Sequence, residues 1–339
     1  MPKSELSARH IAQITRRAVL TGGGALAALT TLPGRAQARL RPILNDASRL
    51  NPTPVARHLV AKPDNEAAFI AQLRQELKEA AAAKRPFAVG VARHSMGGQS
   101  IPRDGTALTL DAVSCQPDTA AKTFRVNAGT RWRDVIKALD PLGFSPAVMQ
   151  SNNDFGVAST FSVNAHGWPV PYGPFGATVR SIRLMLADGS ILTCSRTENA
   201  ELFGLAMGGY GVFGVILDLE VEMVENVMLK PKFEVLPGKE FGPRFIAALS
   251  AEGVKMAYGR LSVARANFFD EGMIVTYRPV PAPAAGLPSA TAGQFSILPC
   301  TRKVKPTRLD HALTETQSDH SPDAKKTPQP PQKPCCSGA

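Results

Sequence analysis

The segment Gly90-Val91-Ala92-Arg93-His94-Ser95-Met96-Gly97-Gly98-Gln99-Ser100 restricts the fold of this chain more than any other. It follows a short β-type run, Pro86 to Val89, and leads into Ile101-Pro102-Arg103-Asp104-Gly105, which reads as a turn and not as a helix. Glycine permits positive φ and close backbone approach, so such a loop can aim consecutive amides at one anion. A histidine at its front edge is unusual for a loop that only cradles phosphate. The rival reading is a nucleophile elbow built on His94-Ser95-Met96-Gly97-Gly98. An elbow needs a small residue two places before the serine and a helix after it. Arg93 and the turn at Pro102 fail those two conditions, which leaves a serine hydrolase as a remote alternative.

The N-terminus reads as an export signal. Thr15-Arg16-Arg17-Ala18-Val19-Leu20 is a twin-arginine motif, with Val19 and Thr21 departing from the commonest residues. An apolar run from Ala18 to Leu32 follows, weakened by Gly22, Gly23 and Gly24, and Ala36-Gln37-Ala38 supplies a small-residue cleavage pattern. The run is short for a membrane span. The expectation is a signal over residues 1–38, a linker over 39–55, and a periplasmic or otherwise exported product with no stable membrane insertion once the signal is removed. Anchoring by an uncleaved N-terminal segment is the alternative.

The net charge of +11 does not imply a nucleic-acid partner. Residues 1–38 carry +4 and those from 301 onward +3, which leaves +4 between them, and no aromatic residues interleave with a basic stripe. The five cysteines have irregular spacing and no histidine arrangement that suggests a metal site. Cys115 and Cys194 read as small core residues. From about Ala284 the chain loses hydrophobic periodicity, and Thr327-Pro328-Gln329-Pro330-Pro331-Gln332 cannot build a core. Residues 284–339 are expected to be a disordered tail, either biological or the product of a frameshift in a shortened parent.

Between these ends the pattern alternates. A helix after Asp64 carries Phe69, Ile70, Leu73 and Leu77 on one face. Strands are expected at Ala107 to Leu110 and Thr123 to Asn127, then a helix with Trp132, Val135, Ile136 and Leu139, Trp132 being core. A long irregular stretch, Gln150 to Gly176, is dense in Asn, Gly, Ser and Pro, and loops of that length are usually functional. A hairpin over Val179 to Ala187 and Ile191 to Ser195, a helix from Glu198 to Met207 and a strand from Val215 to Val224 follow. Gly209, Gly211 and Gly214 satisfy G-x-G-x-x-G, but between a helix and a strand, the reverse of a dinucleotide fingerprint. From Val227 a strand, a helix and two more strands suggest the start of a second α+β unit that does not visibly finish.

Five motifs in order carry a family resemblance. They are His94-Ser95-Met96-Gly97-Gly98-Gln99-Ser100, Val126-Asn127-Ala128-Gly129-Thr130, Ser162-Val163-Asn164-Ala165-His166-Gly167, Ala187-Asp188-Gly189 and Gly208-Gly209-Tyr210-Gly211-Val212-Phe213-Gly214-Val215-Ile216. Together they resemble the vanillyl-alcohol oxidase/p-cresol methylhydroxylase family of FAD-binding oxidoreductases. The resemblance covers residues 55 to 225 and fades by 280. It implies an α+β fold: an FAD-binding domain of two α+β subdomains over 56–226, then an incomplete antiparallel-sheet substrate domain over 227–283.

The resemblance also implies the site. The pyrophosphate is expected against amides of Arg93, His94, Ser95, Met96, Gly97 and Gly98, with Ser95 and Ser100 as hydroxyl partners and Gln99 in the same loop. In relatives such as cytokinin dehydrogenases and sugar-alcohol oxidases, the histidine matching His94 carries FAD covalently through the flavin C8 methyl group. Ser159, Thr160, Asn164, His166 and Gly167 resemble a second loop around the cofactor. Gly129, Gly209, Gly211, Val215 and Ile216 complete the expected contacts. The chain departs from many relatives in having Ala158-Ser159 where they carry Gly-Gly. The implied activity is hydride transfer from a CH–OH donor (alcohol, sugar alcohol or lactone) or a CH–NH donor to flavin N5, with oxygen, a quinone or a cytochrome as acceptor. No catalytic base is assigned. A catalytically incomplete FAD-binding remnant is the alternative.

Overall fold

A parallel strand pair cannot be closed by a tight turn, and the first third of the chain meets that condition with a helix. In the computed structural model, residues 41–62, 65–282 and 286 are described. The signal, Asp64 and nearly all of the tail expected from sequence lie outside them. A two-strand ladder pairs β1 (Ile43–Leu44) with β2 (Thr53–Pro54), within the span expected as a linker. β3 (Arg57–Ala61) leads to α1 (Glu66–Ala82), then β4 (Phe87–Gly90) and β5 (Thr106–Leu110). β5 lies between β3 and β4, parallel to both. α1 begins where the Asn65 side chain accepts the Ala68 amide at 3.1 Å, an N-cap that satisfies one orphan donor of the first turn. Its inward face carries Leu73 and Ala80, with Phe69, Ile70 and Leu77 packed beside them. Glu76 is also buried there, its charge answered by Arg57 at 2.9 Å.

The second layer is antiparallel. It comprises β6 (Cys115–Asp118), β7 (Thr123–Asn127), α2 (Trp132–Leu139), β8 (Phe144–Pro146), α3 (Val157–Ser162), β9 (Val179–Met185), β10 (Ile191–Ser195), α4 (Ala200–Ala206) and β11 (Val215–Glu225). The sheet order is β10-β9-β11-β7-β6, with β8 on the far end of β11. β11 is buried almost throughout its first half, so its one charge there, Asp218, needs partners. Arg125 from β7 donates to it at 2.6 Å, and Arg183 from β9 pairs with it from the other side. The expected hairpin is the β9–β10 pair, with Ile191 opposite Met185.

The irregular stretch expected at 150–176 differs in one respect. It contains the six-residue helix α3, whose Val157, Ala158, Thr160 and Phe161 are buried. The small residues around it hid its periodicity, and one and a half turns give too little pattern to read. Trp132 is fully buried, packs edge-to-face on Phe175 with centroids 5.1 Å apart, and donates its indole N–H to Thr160 Oγ1 at 3.0 Å. That bond ties α2 to α3.

The last described part is a three-stranded antiparallel sheet, β12 (Leu229–Pro237) and β13 (Met256–Leu261) flanking β14 (Glu271–Pro279), with α5 (Gly238–Leu249) between β12 and β13 in the chain. Phe241 of α5 sits on Gly259 and Gly272, where an added Cβ would come within 2.2 and 2.6 Å of its ring. Strand and helix spans therefore agree with the mixed α+β content expected from sequence. Among the described residues no helix is long and apolar enough to cross a membrane.

Candidate functional site

A cavity of about 670 Å³ opens where the loop after β4 faces α3 and the segment leading into β11. Its lining includes Arg93, His94, Ser95, Met96, Gln99 and Ser100 from the loop, Ser159 and Thr160 from α3, and Gly211, Val215 and Ile216 from the far wall. The volume lies within the range of about 300–1,000 Å³ typical of cofactor sites. No helix follows Ser95, and its hydroxyl is engaged with Asp46 Oδ2 at 3.0 Å and Ser100 Oγ at 2.9 Å; among the described residues no histidine hydrogen-bonds to it. The conditions for a nucleophile elbow are absent.

Backbone amides take acceptors from protein, ligand or water, so the loop's donors that meet no protein acceptor are the ones open to a ligand. The Gly97 amide donates to Gln99 Oε1 at 2.9 Å and the Gly98 amide to Asp46 Oδ2 at 3.0 Å. The amides of Arg93, His94, Ser95 and Met96 meet no acceptor among the described residues. Arg93 has φ 49°, the left-handed turn that lets neighbouring amides converge. The loop thus offers its front half to an anion and ties its rear half internally. Asp46 is the tie: it also accepts from Ser48 and Asn51, and these hydrogen bonds, Ser48's foremost, hold its carboxyl below its ordinary range. It is therefore acceptor only, which fixes every donor around it.

His94 is held from behind. Its Nε2 lies 2.8 Å from Asp154 Oδ2, and its ring meets Phe155 edge-on with centroids 4.4 Å apart. Asp154 Oδ1 accepts from Arg131 at 2.5 Å and from Arg133 at 2.9 Å. The His94 hydrogen bond first, and then the two arginines, keep Asp154 below the usual carboxylate range. An ionised carboxylate can only accept, so the Nε2 facing it carries a proton, and Nδ1 points away from Asp154.

Beneath the loop, Arg93 donates to Thr109 Oγ1 at 2.5 Å and Leu108 O at 3.2 Å. Thr109 Oγ1 also meets His58 Nε2 at 2.9 Å. Burial, and then the Arg93 charge, push the His58 pKa below its ordinary 6.5. A depressed histidine pKa supports the fold fully above the unfolded value, and that support is lost as pH falls from 6.5 through the folded value. Melting temperature is accordingly expected to drop on acidification below about pH 6.5, and less so in His58→Gln, which cannot take the proton. Equal acid sensitivity of the two proteins in a thermal melt from pH 7.5 to 5 (about the range where a histidine titrates) would count against this.

The other expected residues are placed as follows. Thr160 reaches the cavity, but its hydroxyl accepts from Trp132 and donates to Gly156 O at 2.9 Å. Gly97, Gly98, Asn164, His166, Gly167 and Gly209 do not line the cavity. Asn164 accepts the Gly176 amide at 3.0 Å, and His166 is exposed. Gly209 lies so close to Leu205 O that a Cβ would come within 2.1 Å of it. Gly129 lines a separate cavity of about 290 Å³ bounded by Glu66, Arg125, Arg183 and Asp218. Among the described residues no cluster of His, Cys, Asp or Glu could hold a metal ion. Burial pushes the Cys115 thiol up to about 11, so it is not a ready nucleophile.

Sequence reasoning missed Asp46, Asp154 and Arg131. Asp154 is the single acidic residue between 150 and 176, and Asp46 the single one between 39 and 55. A carboxylate with no other acidic residue in its segment was the available signal.

Residues 59–195 match the FAD binding domain family. That span takes in the end of β3, the whole amide loop, His94, Asp154 and α3. This segment is similar to flavin-binding domains, and FAD is the cofactor that the match supports. The chain is similar to an alditol oxidase from Streptomyces sp. (strain IKD472 / FERM P-14339), 34% identical over 149 residues, 43% of this chain and 34% of that protein. Cytokinin dehydrogenase 2 of Arabidopsis thaliana is 32% identical over 150 residues, 43% of this chain and 30% of that protein. The chain spans about a third of the length of the curated relatives it matches. The residues present suit FAD: unpaired amides for an anionic diphosphate at one end, and a largely apolar wall running through Val215 and Ile216 at the other.

Proposed function

We propose that this protein is an exported FAD-dependent oxidoreductase that oxidises a small CH–OH donor (an alcohol, sugar alcohol or lactone), or secondarily a CH–NH donor, and passes the electrons to oxygen, a quinone or a cytochrome. The observation that carries the reading is the loop of residues 93–96, four free amides and a braced imidazole on the wall of one cavity, in a domain similar to that of an alditol oxidase. FAD, when bound, supplies the electron chemistry by accepting hydride from the donor carbon. The chain's own residues bind and orient. The amides of residues 93–96 take the diphosphate, and Ser100 and Ser159 offer hydroxyls. Backbone at Val215 and Ile216 lies against the ring system or adenine. His94, with Nδ1 free, is the point of covalent attachment, and a tether suits a protein that leaves the cytosol with its cofactor by the twin-arginine route.

The purified full chain should be yellow, and anaerobic addition of a donor from an alditol, alcohol, lactone and amine panel should bleach the flavin absorbance. A colourless protein, or a yellow one that no donor bleaches, would overturn the oxidoreductase reading.

Asp154 acts through His94 and is a positioning residue. Asp154→Asn removes the acceptor-only partner that fixes the proton on Nε2. Acid-precipitable flavin is expected to form about tenfold more slowly or worse, the scale for losing a partner that orients a functional histidine. Attachment at an unchanged rate would show that Asp154 merely supports the loop.

A further inference from the structure

The 670 Å³ cavity is lined by no carboxylate and by a single arginine or lysine, Arg93. Among the described residues no carboxylate lies within ion-pair distance of that guanidinium, and its Nε is buried with no hydrogen-bond partner at all. The side chain is folded back under the loop, packed so closely on Gly90 that a Cβ there would come within 3.1 Å of it. Its two remaining contacts are neutral oxygens, Thr109 Oγ1 and Leu108 O. A half-buried cation whose Nε is left without a partner by its own protein is a cost that an arriving anion offsets. Residues 93–96, whose amides meet no acceptor among the described residues, line the same cavity.

We propose that the Arg93 side chain is the fixed counter-charge for the FAD diphosphate, so that this flavin site selects dinucleotide over unphosphorylated flavin by one half-buried guanidinium in addition to the amide loop. The inference rests on FAD as the ligand. It differs from the backbone role of the loop, because it predicts discrimination that depends on charge at one side chain.

The test is FAD and riboflavin affinity, measured by fluorescence titration of the full chain in a His94→Ala background so that no tether forms. In that parent, FAD should bind much more tightly than riboflavin, and added salt should weaken FAD binding while leaving riboflavin binding flat. Arg93→Met should lower FAD affinity at least about tenfold, the scale of a lost charge-assisted contact, and leave riboflavin affinity within about twofold. Arg93→Lys should restore most of the loss. Parallel loss of FAD and riboflavin affinity in Arg93→Met would show a structural role only and overturn the proposal, as would undiminished FAD affinity. If Arg93→Met does not fold, the parent and Arg93→Lys decide: salt-insensitive FAD binding in both overturns the proposal. A parent that binds neither compound overturns the FAD assignment itself, which separates that failure from a failure of Arg93.

Discussion

His94→Ala is expected to lose all acid-stable flavin while the folded protein remains yellow. The loop keeps its other means of holding FAD, because the amides of Ser95 and Met96, the Ser100 hydroxyl and the far wall at Val215 and Ile216 are untouched. Only the imidazole Nδ1 nucleophile disappears. Acid precipitation followed by absorbance of pellet and supernatant reads the result directly: colour should move from the pellet to the supernatant. Covalent flavin persisting in His94→Ala would reject the assignment of the tether, and a wild-type protein that releases all its flavin in acid would do the same. Asp154, now without its imidazole, keeps Arg131 and Arg133, so the fold should change little.

Trp132→Ala should be the most damaging single substitution for stability. The indole is fully buried, packs edge-on against Phe175, and spends its one N–H on Thr160. Truncation leaves a large void and removes that donor, for a loss of about 3–5 kcal/mol. In a domain of this size a melting temperature lower by about 10 °C follows. Because α3 both receives this bond and lines the 670 Å³ cavity proposed for FAD, FAD affinity should fall with stability. Trp132→Phe refills most of the space and should recover most of the melting temperature without recovering the hydrogen bond. A thermal melt of the three proteins, with and without excess FAD, checks the point. An Ala variant within about 1 kcal/mol of wild type would mean that α2 and α3 are not coupled through this residue.

How much of this was legible beforehand depended on the range over which each signal acts. The strand over Thr123–Asn127 and the helix over Trp132–Leu139 stood where apolar periodicity put them, because a sheet face or helix stripe must be buried and five to eight residues suffice to reveal it. β3 and the short β6 and β8 went unnoticed. They carry polar or proline residues, and neighbours that only the fold supplies make them strands. α3 was missed for the same reason: its helix is held by the Trp132–Thr160 bond and by burial of Phe161, neither of which is local.

At the cavity the division is similar. The residues from Gly90 to Ser100 pointed by themselves to a loop able to aim amides at an anion, since glycine and a left-handed turn are backbone properties written in the local sequence. The chain alone also placed Gly209, Gly211 and Gly214 between a helix and a strand, and so excluded a dinucleotide fingerprint of the usual kind. Which amides stay free could not be read there. Asp46, some fifty residues upstream, takes the Gly98 amide and the Ser95 hydroxyl, and Asp154, sixty residues downstream, takes the His94 proton. Hydrogen-bond partners are settled by distance in space, and two carboxylates that far apart along the chain meet one loop only after the parallel and antiparallel sheets have packed. The sequence determined what the loop can hold; the tertiary structure decided which of its groups are left to hold it.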